Sequence, residues 1–488
     1  MPWRFRKRPK VFRSDREIAE WVGYPYQSGD VFLGYGLSLE RRGPEKWEPV
    51  FVFVPRSLSV AHGLIHGMTR HGKSRLLERL AYNDILEGLS VVVIDPKGDS
   101  GLLETNLSAC IKANRLRDFM FFSPIYPELS LRANFLYGLT PDEIVDVVIA
   151  GLPQSRDEFF IKIAEETTRA IVHAHFALGR EEIRFVDIFS NIPQEELKKI
   201  ENEITEKIAE GVKEREDAEL LMKEIANSPR DYYSKVVSTL RTSISALCVG
   251  PIGELVGKAR GNPIYERLMN GEPMVLHAYL GSLLSKGRAY VLSRLLLSTM
   301  VIYAGRYNSA NKKFNPMLRV HADEASNVFF HGIEDLINKV GGTNFSCWFY
   351  TQSFNDIVAR VGQEVAGMMF DNTHTKVVFK VDDANTIKRL VEIVPEVEKP
   401  RYFVRDGIDV MGGGKEPLIQ PSQFGQLPVG VCYAYTEGKW YRLYNPVLVE
   451  DTKEAIDGVV AYAERLGKDP SAYIVEVRPP VKVENLFR

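Results

Sequence analysis

The sequence predicts an α/β protein: a parallel-rich sheet carrying a phosphate-binding loop, with an all-helical segment inserted into it. Three observations lead there. Residues 66–78, HGMTRHGKSRLLE, follow an apolar run and open a helical pattern, the setting such a loop requires. From about residue 58, short apolar runs alternate with amphipathic stretches, as in parallel strands joined by helices. Between about 141 and 250 that alternation stops and only helical periodicity remains.

The bulk properties bound the reading. At 488 residues the chain is too long for one ordinary domain. With 45% hydrophobic and 26% charged residues it has a soluble globular composition. A net charge of −2 supplies no global field, so any polyanion must be met by a local patch. Cys110, Cys248, Cys347 and Cys432 lie far apart without CxxC spacing, which gives no zinc or redox motif and suits a reducing cytosol. The apolar stretch 289–305 carries Arg294 at its middle and reads as a buried helix rather than a membrane span. The start, MPWRFRKRPKVFR, is basic without the apolar centre of a signal peptide. It reads as a solvated tail, with anionic lipid or DNA phosphate as the alternative contact.

Element by element, DVFLGYGLSL and WEPVFVFVP within 30–54 predict short strands. HGLIHG ends a buried strand at the loop, and KSRLLERLAYNDILEG is a helix closed by Gly88. LSVVVID is a second buried strand and DFMFFSP a third. PDEIVDVVIAGL, DEFFIKIAEETTRAIVHAHFAL, residues 194–227 and YYSKVVSTLRTSISALC follow helical period; the charge density of 194–227 predicts a solvated face. Strands return at 273–280, 317–325, 345–353 and 374–383. VCYAYTEGKWYRLYNP predicts a hairpin turning at Glu437-Gly438.

The chemistry follows from four stretches. GMTRHGKS, residues Gly67, Met68, Thr69, Arg70, His71, Gly72, Lys73 and Ser74, fits a phosphate-binding loop. Its glycines free backbone N–H groups to wrap phosphates at the positive end of a helix, with Lys73 on the β/γ-phosphates and Ser74 on Mg²⁺. MLRVHADEA ends an apolar strand in two acids. Desolvating a carboxylate is costly without a partner, so the pair needs a reason. Asp323 would order Mg²⁺ and Glu324 would activate the attacking water. FSCWFYTQS places Thr351 and Gln352 at a strand's carboxyl end, where ligands bind in open parallel sheets; Gln352 would sense the γ-phosphate. In VVVIDPKGD, Asp95, Lys97 and Asp99 read more readily as turn chemistry than as nucleotide contacts.

Taken in order, the P-loop, VIDPKGD, HADEA and YTQS, with a helical insertion between the second and third, resemble the conjugative coupling proteins of type IV secretion. FFSPIYPELSLRANFL, the stretch from VHADEASNVFF to VARVG, and LVEIVPEVE are similar to the TraD subgroup of integrating conjugative elements. The resemblance covers roughly residues 55–400. It implies a RecA/HerA-like, Mg²⁺-dependent ATPase that assembles as a homo-hexameric ring. It further implies a DNA translocase that moves single-stranded DNA, with its attached relaxase, to the secretion channel. Two departures stand out. Relatives usually begin with transmembrane helices, and none reads here, so a cytoplasmic protein with peripheral contact at the inner membrane is expected. Many relatives also place an arginine between the acid pair and the glutamine; this chain offers Lys339, which lacks the planar fork, with Arg360 as the other candidate. Lys258 and Arg260, and Lys312 and Lys313, are candidate DNA-channel loops that read equally as solvated surface.

The expected architecture is therefore α/β, a RecA-like P-loop NTPase core with an inserted all-α domain. Its parts are an N-terminal tail and strands (1–57), the first part of the nucleotide-binding domain (58–140) and the helical insertion (141–250). The second part of the nucleotide-binding domain (251–450) and a C-terminal tail (451–488) complete it. The expected ligands are ATP and Mg²⁺; the expected partners are DNA, the relaxase and type IV secretion components. Two rivals differ in kind: a substrate-docking adaptor using nucleotide for assembly, and a double-stranded DNA pump.

Overall fold

A computed structural model describes residues 14–40, 48–152, 158–208, 213–229, 233, 237–330, 332–405, 408–446, 448 and 452–469. The basic start of the chain and the last residues of the C-terminal tail lie outside them. The strands are β1 (Val31–Ser38), β2 (Val50–Val54), β3 (Gly63–His66), β4 (Ser90–Asp95), β5 (Phe119–Phe122), β6 (Val275–Tyr279) and β7 (Leu318–Ala322). They continue with β8 (Phe345–Thr351), β9 (Thr375–Val378), β10 (Glu396–Arg405), β11 (Ile408–Pro417), β12 (Val431–Thr436) and β13 (Lys439–Tyr444). An 11-stranded sheet has the order β2-β1-β13-β12-β9-β3-β8-β7-β4-β6-β5, and β10-β11 form a separate hairpin. From β9 to β5 every neighbouring pair is parallel. From β12 to β2 the pairs are antiparallel.

The apolar runs explain the layering. All six residues of β4 are buried, because helices cover both faces of a parallel sheet. Side-chain alternation sends Val91 and Val93 towards Leu76 and Leu80 of the helix Lys73–Leu86. Val92 and Ile94 face the other way, into a core shared with Leu292 and Leu295 of the helix Lys286–Ser309. That second helix is the apolar stretch with Arg294 at its middle, and it is buried as the sequence predicts. Among the described residues no helix is long and apolar enough to cross a membrane.

Between β5 and β6 the described elements are helices, chiefly Pro141–Gly151, Glu158–Ala177, Phe185–Asn191, Gln194–Ile208, Lys213–Ala226 and Ser238–Cys248. Thr140 and Glu143 form a capping box at the first, and Pro141 sits where its missing N–H costs nothing. Within 194–227 the described helices bury Leu197, Ile204, Ala218 and Met222. They lay ion pairs such as Lys199–Glu196 and Lys223–Glu219 on the outside, the solvated face expected. The Glu437-Gly438 turn has φ of 52° and 73°, the left-handed pair a two-residue hairpin needs.

Among the elements not read from the sequence, three stand out. The helix Asp15–Val22 lies in what reads as tail; Asp15 is buried and accepts from Arg79 of the P-loop helix at 2.8 Å. The helix Thr452–Arg465 lies in the other tail and seats Tyr462 edge-on against Phe119 of β5. The hairpin β10-β11 joins 396 to 417.

Candidate active site

The phosphate-binding loop leaves β3 at His66 and is fixed at its entry by two neighbours. Gly67 N–H donates to Thr351 O at 3.2 Å, and Met68 N–H to Lys380 O at 2.8 Å. The loop's glycines are steric requirements. A Cβ on Gly67 would lie 2.8 Å from Phe379 Cβ; one on Gly72 would lie 2.7 Å from the same ring, at φ 121°. Phe379 thus floors the loop, so only a side chain without Cβ fits above it. Arg70 is left-handed at φ 67°, and His71 O accepts from Gly430 N–H at 3.1 Å. The helix Lys73–Leu86 starts at Gly72, which has no side chain to cap it, so its first N–H groups face outward for an anion. Met68, Thr69, Arg70 and Ser74 are exposed, whereas Lys73 is buried.

The acids arrive on the adjacent parallel strands. Asp323 follows β7, is held by its N–H to Ile94 O at 3.0 Å, and is buried. Burial pushes its carboxyl up to about 6; Lys73 opposes that shift, and Asp95 and Glu324 add to it. Burial lowers the Lys73 ammonium, against the pull of Asp323, Glu324 and Asp356. Asp323 Oδ1 has no hydrogen-bond partner among the described residues. An orphaned buried carboxylate oxygen after β7, together with the Ser74 hydroxyl in the first turn of the P-loop helix, fits a hard divalent cation such as Mg²⁺.

Glu324 is half-buried and left-handed at φ 44°, a conformation costing about 1–2 kcal/mol for a residue with a Cβ. Tyr290 Oη donates to its Oε2 at 3.3 Å. Glu324 and the exposed Gln352 line one cavity of about 470 Å³, whose wall also includes Tyr290, Asp356 and Arg360. The topology explains this meeting. β8 lies between β3 and β7, so Gln352 projects from the strand end between the loop and the acids.

The other sequence candidates fall elsewhere. Asp95 is buried and accepts from Gly98 and Asp99 N–H at 2.8 and 2.5 Å, while Asp99 caps the helix Ser100–Lys112. These are turn and cap roles, as the sequence favoured. Lys339 is exposed in the last turn of Ile333–Val340 and does not line the cavity, whereas Arg360 does. Lys312 and Lys313 are exposed on the loop that enters β7, at the amino end of that strand and so at the end opposite Asp323. Lys258 is paired with Glu254 at 2.8 Å, both exposed. Tyr290 and Asp356 carry no motif; only folding brings their helices to the strand ends.

The described geometry has counterparts. Residues 317–428 match the family described as the TraM recognition site of TraD and TraG. Among solved structures, the unbound bacterial conjugative coupling protein TrwBdeltaN70 is similar at TM-score 0.61 and 16% identity, over 82% of this chain and 88% of its own. Plasmid coupling protein TrwB with the ATP analogue ADPNP is similar at TM-score 0.59 and 17% identity, over 86% and 95%. The same protein with ADP and Mg²⁺ is similar at TM-score 0.60 and 16% identity, over 86% and 95%. No curated protein matches the sequence. At these identities the structural likeness establishes the fold, a RecA-like P-loop core with an all-helical insertion. The matched segment carries Asp323, Glu324 and Gln352, and the P-loop fold of these structures extends over most of the chain.

Proposed function

We propose that this chain is a Mg²⁺-dependent ATPase that moves single-stranded DNA, linking a relaxase-bound strand to a type IV secretion channel. One observation carries the reading: Lys73, Asp323, Glu324 and Gln352 converge at the carboxyl ends of neighbouring parallel strands. The loop N–H groups and Lys73 bind the phosphates of ATP. Ser74 and Asp323 would hold Mg²⁺, which would supply positive charge to offset that of the phosphates. Glu324 takes the proton of the attacking water, and Gln352 at the mouth of the cavity orients that water and reports the γ-phosphate. The Tyr290 hydroxyl holds the Glu324 carboxylate in place until water replaces it.

TrwB solved with ADPNP and with ADP and Mg²⁺ supports these ligands. The match to a TraM recognition site supports partners of the conjugation machinery. The working division is an N-terminal segment to 57, nucleotide-binding parts at 58–140 and 251–450, a helical insertion at 141–250 that receives substrate, and a C-terminal segment from 451. The working assembly is a homo-hexamer with peripheral contact at the membrane.

The test is the steady-state ATPase rate with no DNA, single strands or duplex, with Lys73→Ala as the blank. Stimulation by single strands is expected. Stimulation by duplex alone would point to a double-strand pump, and a rate indifferent to DNA would favour the docking adaptor.

A further inference from the structure

Behind the cavity of Glu324 and Gln352 lies a second one of about 410 Å³, and the two share Tyr290, Asn327 and Arg360 as a common wall. Arg288 and Arg294 of the helix Lys286–Ser309 line it, facing Thr242 and Ser243 of the helix Ser238–Cys248, in the helical insertion. Three arginines therefore line one space, and no carboxylate among the described residues lines it with them.

Arg294 decides what the space is for. It is 7% exposed. One terminal nitrogen donates to Gly151 O at 3.0 Å and the other reaches Asn327 O at 3.4 Å, while Nε has no partner among the described residues. Burial first, then the charge of Arg360, pushes this guanidinium down to about 10. Desolvated like charges oppose folding unless a counter-charge joins them. Arginine forks with hydroxyl groups are the chemistry that holds a tetrahedral oxyanion. Asn327, whose side-chain oxygen is also unpartnered, can present its amide N–H₂ instead by a simple flip.

The charges differ across the shared wall. The first cavity holds Glu324 and Asp356; the second holds arginine without acid. Hydrolysis adds the water oxygen to the γ-phosphorus, breaks its bond to the β–γ bridging oxygen and leaves inorganic phosphate beside Glu324. We propose that the arginine-lined cavity binds that inorganic phosphate after cleavage, drawing it past Arg360 and away from the carboxylates. This rests on ATP hydrolysis at the Glu324 cavity, as proposed above.

The test is calorimetric titration of sodium phosphate into protein already saturated with ADP and Mg²⁺, so that the loop's own phosphate site is filled. The expected result is one saturable site. Arg288→Gln, at an exposed position, should weaken it about tenfold or more, the loss of one charge-assisted contact. Arg294→Met should abolish it, and ADP affinity should stay within about twofold in both. Because Arg294 also bonds Gly151 and its loss can disturb folding, Arg288→Gln decides the case alone if that variant misfolds. No phosphate uptake by the ADP-loaded wild type, or unchanged affinity in Arg288→Gln, overturns the proposal and leaves the ATPase reading standing. Displacement of phosphate by a single-stranded oligonucleotide that binds more tightly, and equally depends on Arg288, would make this a DNA-backbone site and overturn it too. Failure of ADP to bind at all would sink the ATPase reading and this inference with it.

Discussion

Glu324 illustrates how one residue joins strain to chemistry. Its left-handed backbone lifts the carboxylate off the end of β7 into the cavity, where Tyr290 donates to it. If it takes the proton of the attacking water, Glu324→Gln lowers kcat by about 10²–10⁴-fold while ADP binding persists. Single-turnover ATP cleavage checks this, and unchanged turnover would remove Glu324 from the mechanism. His66 makes a different prediction. Both ring nitrogens lack partners among the described residues, and burial, reinforced by Lys73 and Lys376, pushes its imidazole down to about 3. Below the ordinary histidine value of about 6.5 the unfolded chain takes up this proton and the folded chain does not. The stability it contributes is therefore present above that value and lost as pH falls towards 3. Relative to their difference at pH 8, His66→Leu should gain about 2 kcal/mol on wild type at pH 5, read from urea denaturation. An equal difference at both pH values would refute it.

Elements are tied by buried charge. Asp84, on the helix Lys73–Leu86, pairs with Arg319 and lies 2.8 Å from His321 Nε2, both on β7. His321 Nδ1 in turn meets Tyr350 Oη of β8 at 3.1 Å. Three elements that carry Lys73, Asp323 and Gln352 are thereby locked in register, since Arg319, His321 and Asp323 share one side of the strand. Asp84→Asn leaves Arg319 buried without its counter-ion and should cost about 3–5 kcal/mol. Thermal unfolding of the nucleotide-free protein measures it, and a cost under about 1 kcal/mol would mean that other groups neutralise Arg319. The P-loop pattern GxxxxGKS was legible because its residue types and spacing fall within one short stretch. That Phe379, on the far side of β9's end, demands glycine at both positions was not legible, because more than 300 positions of sequence separate them.

For the whole molecule the open question is assembly. Gln352 and Arg360 are exposed at the cavity mouth, so the site faces outward, where a neighbouring subunit could close it. With nucleotide and single-stranded DNA, Glu324→Gln should sediment as a larger assembly than without them, and a hexamer is expected. A monomer under all conditions would count against a ring. Removing Mg²⁺ with a chelator should bring the wild-type rate down to that of Lys73→Ala; persistent turnover would remove Asp323 and Ser74 from a metal role.

By itself the sequence determined the fold class, the P-loop, the alternation of the central strands and helices and the strand-end positions of Asp323, Glu324 and Gln352. These are local matters: periodicity, glycines at tight turns and acids ending apolar runs are all expressed within about ten residues. The terminal helices were hidden because their burial depends on partners elsewhere. Asp15 is satisfied by Arg79, and Tyr462 by Phe119, across 64 and 343 positions. Only the tertiary structure set β8 between β3 and β7, brought Tyr290, Asp356 and Arg360 to the same cavity as Glu324, and left Arg294 desolvated behind it. Such meetings arise from packing distant segments on one sheet, and short-range sequence patterns carry no record of which segments pack together.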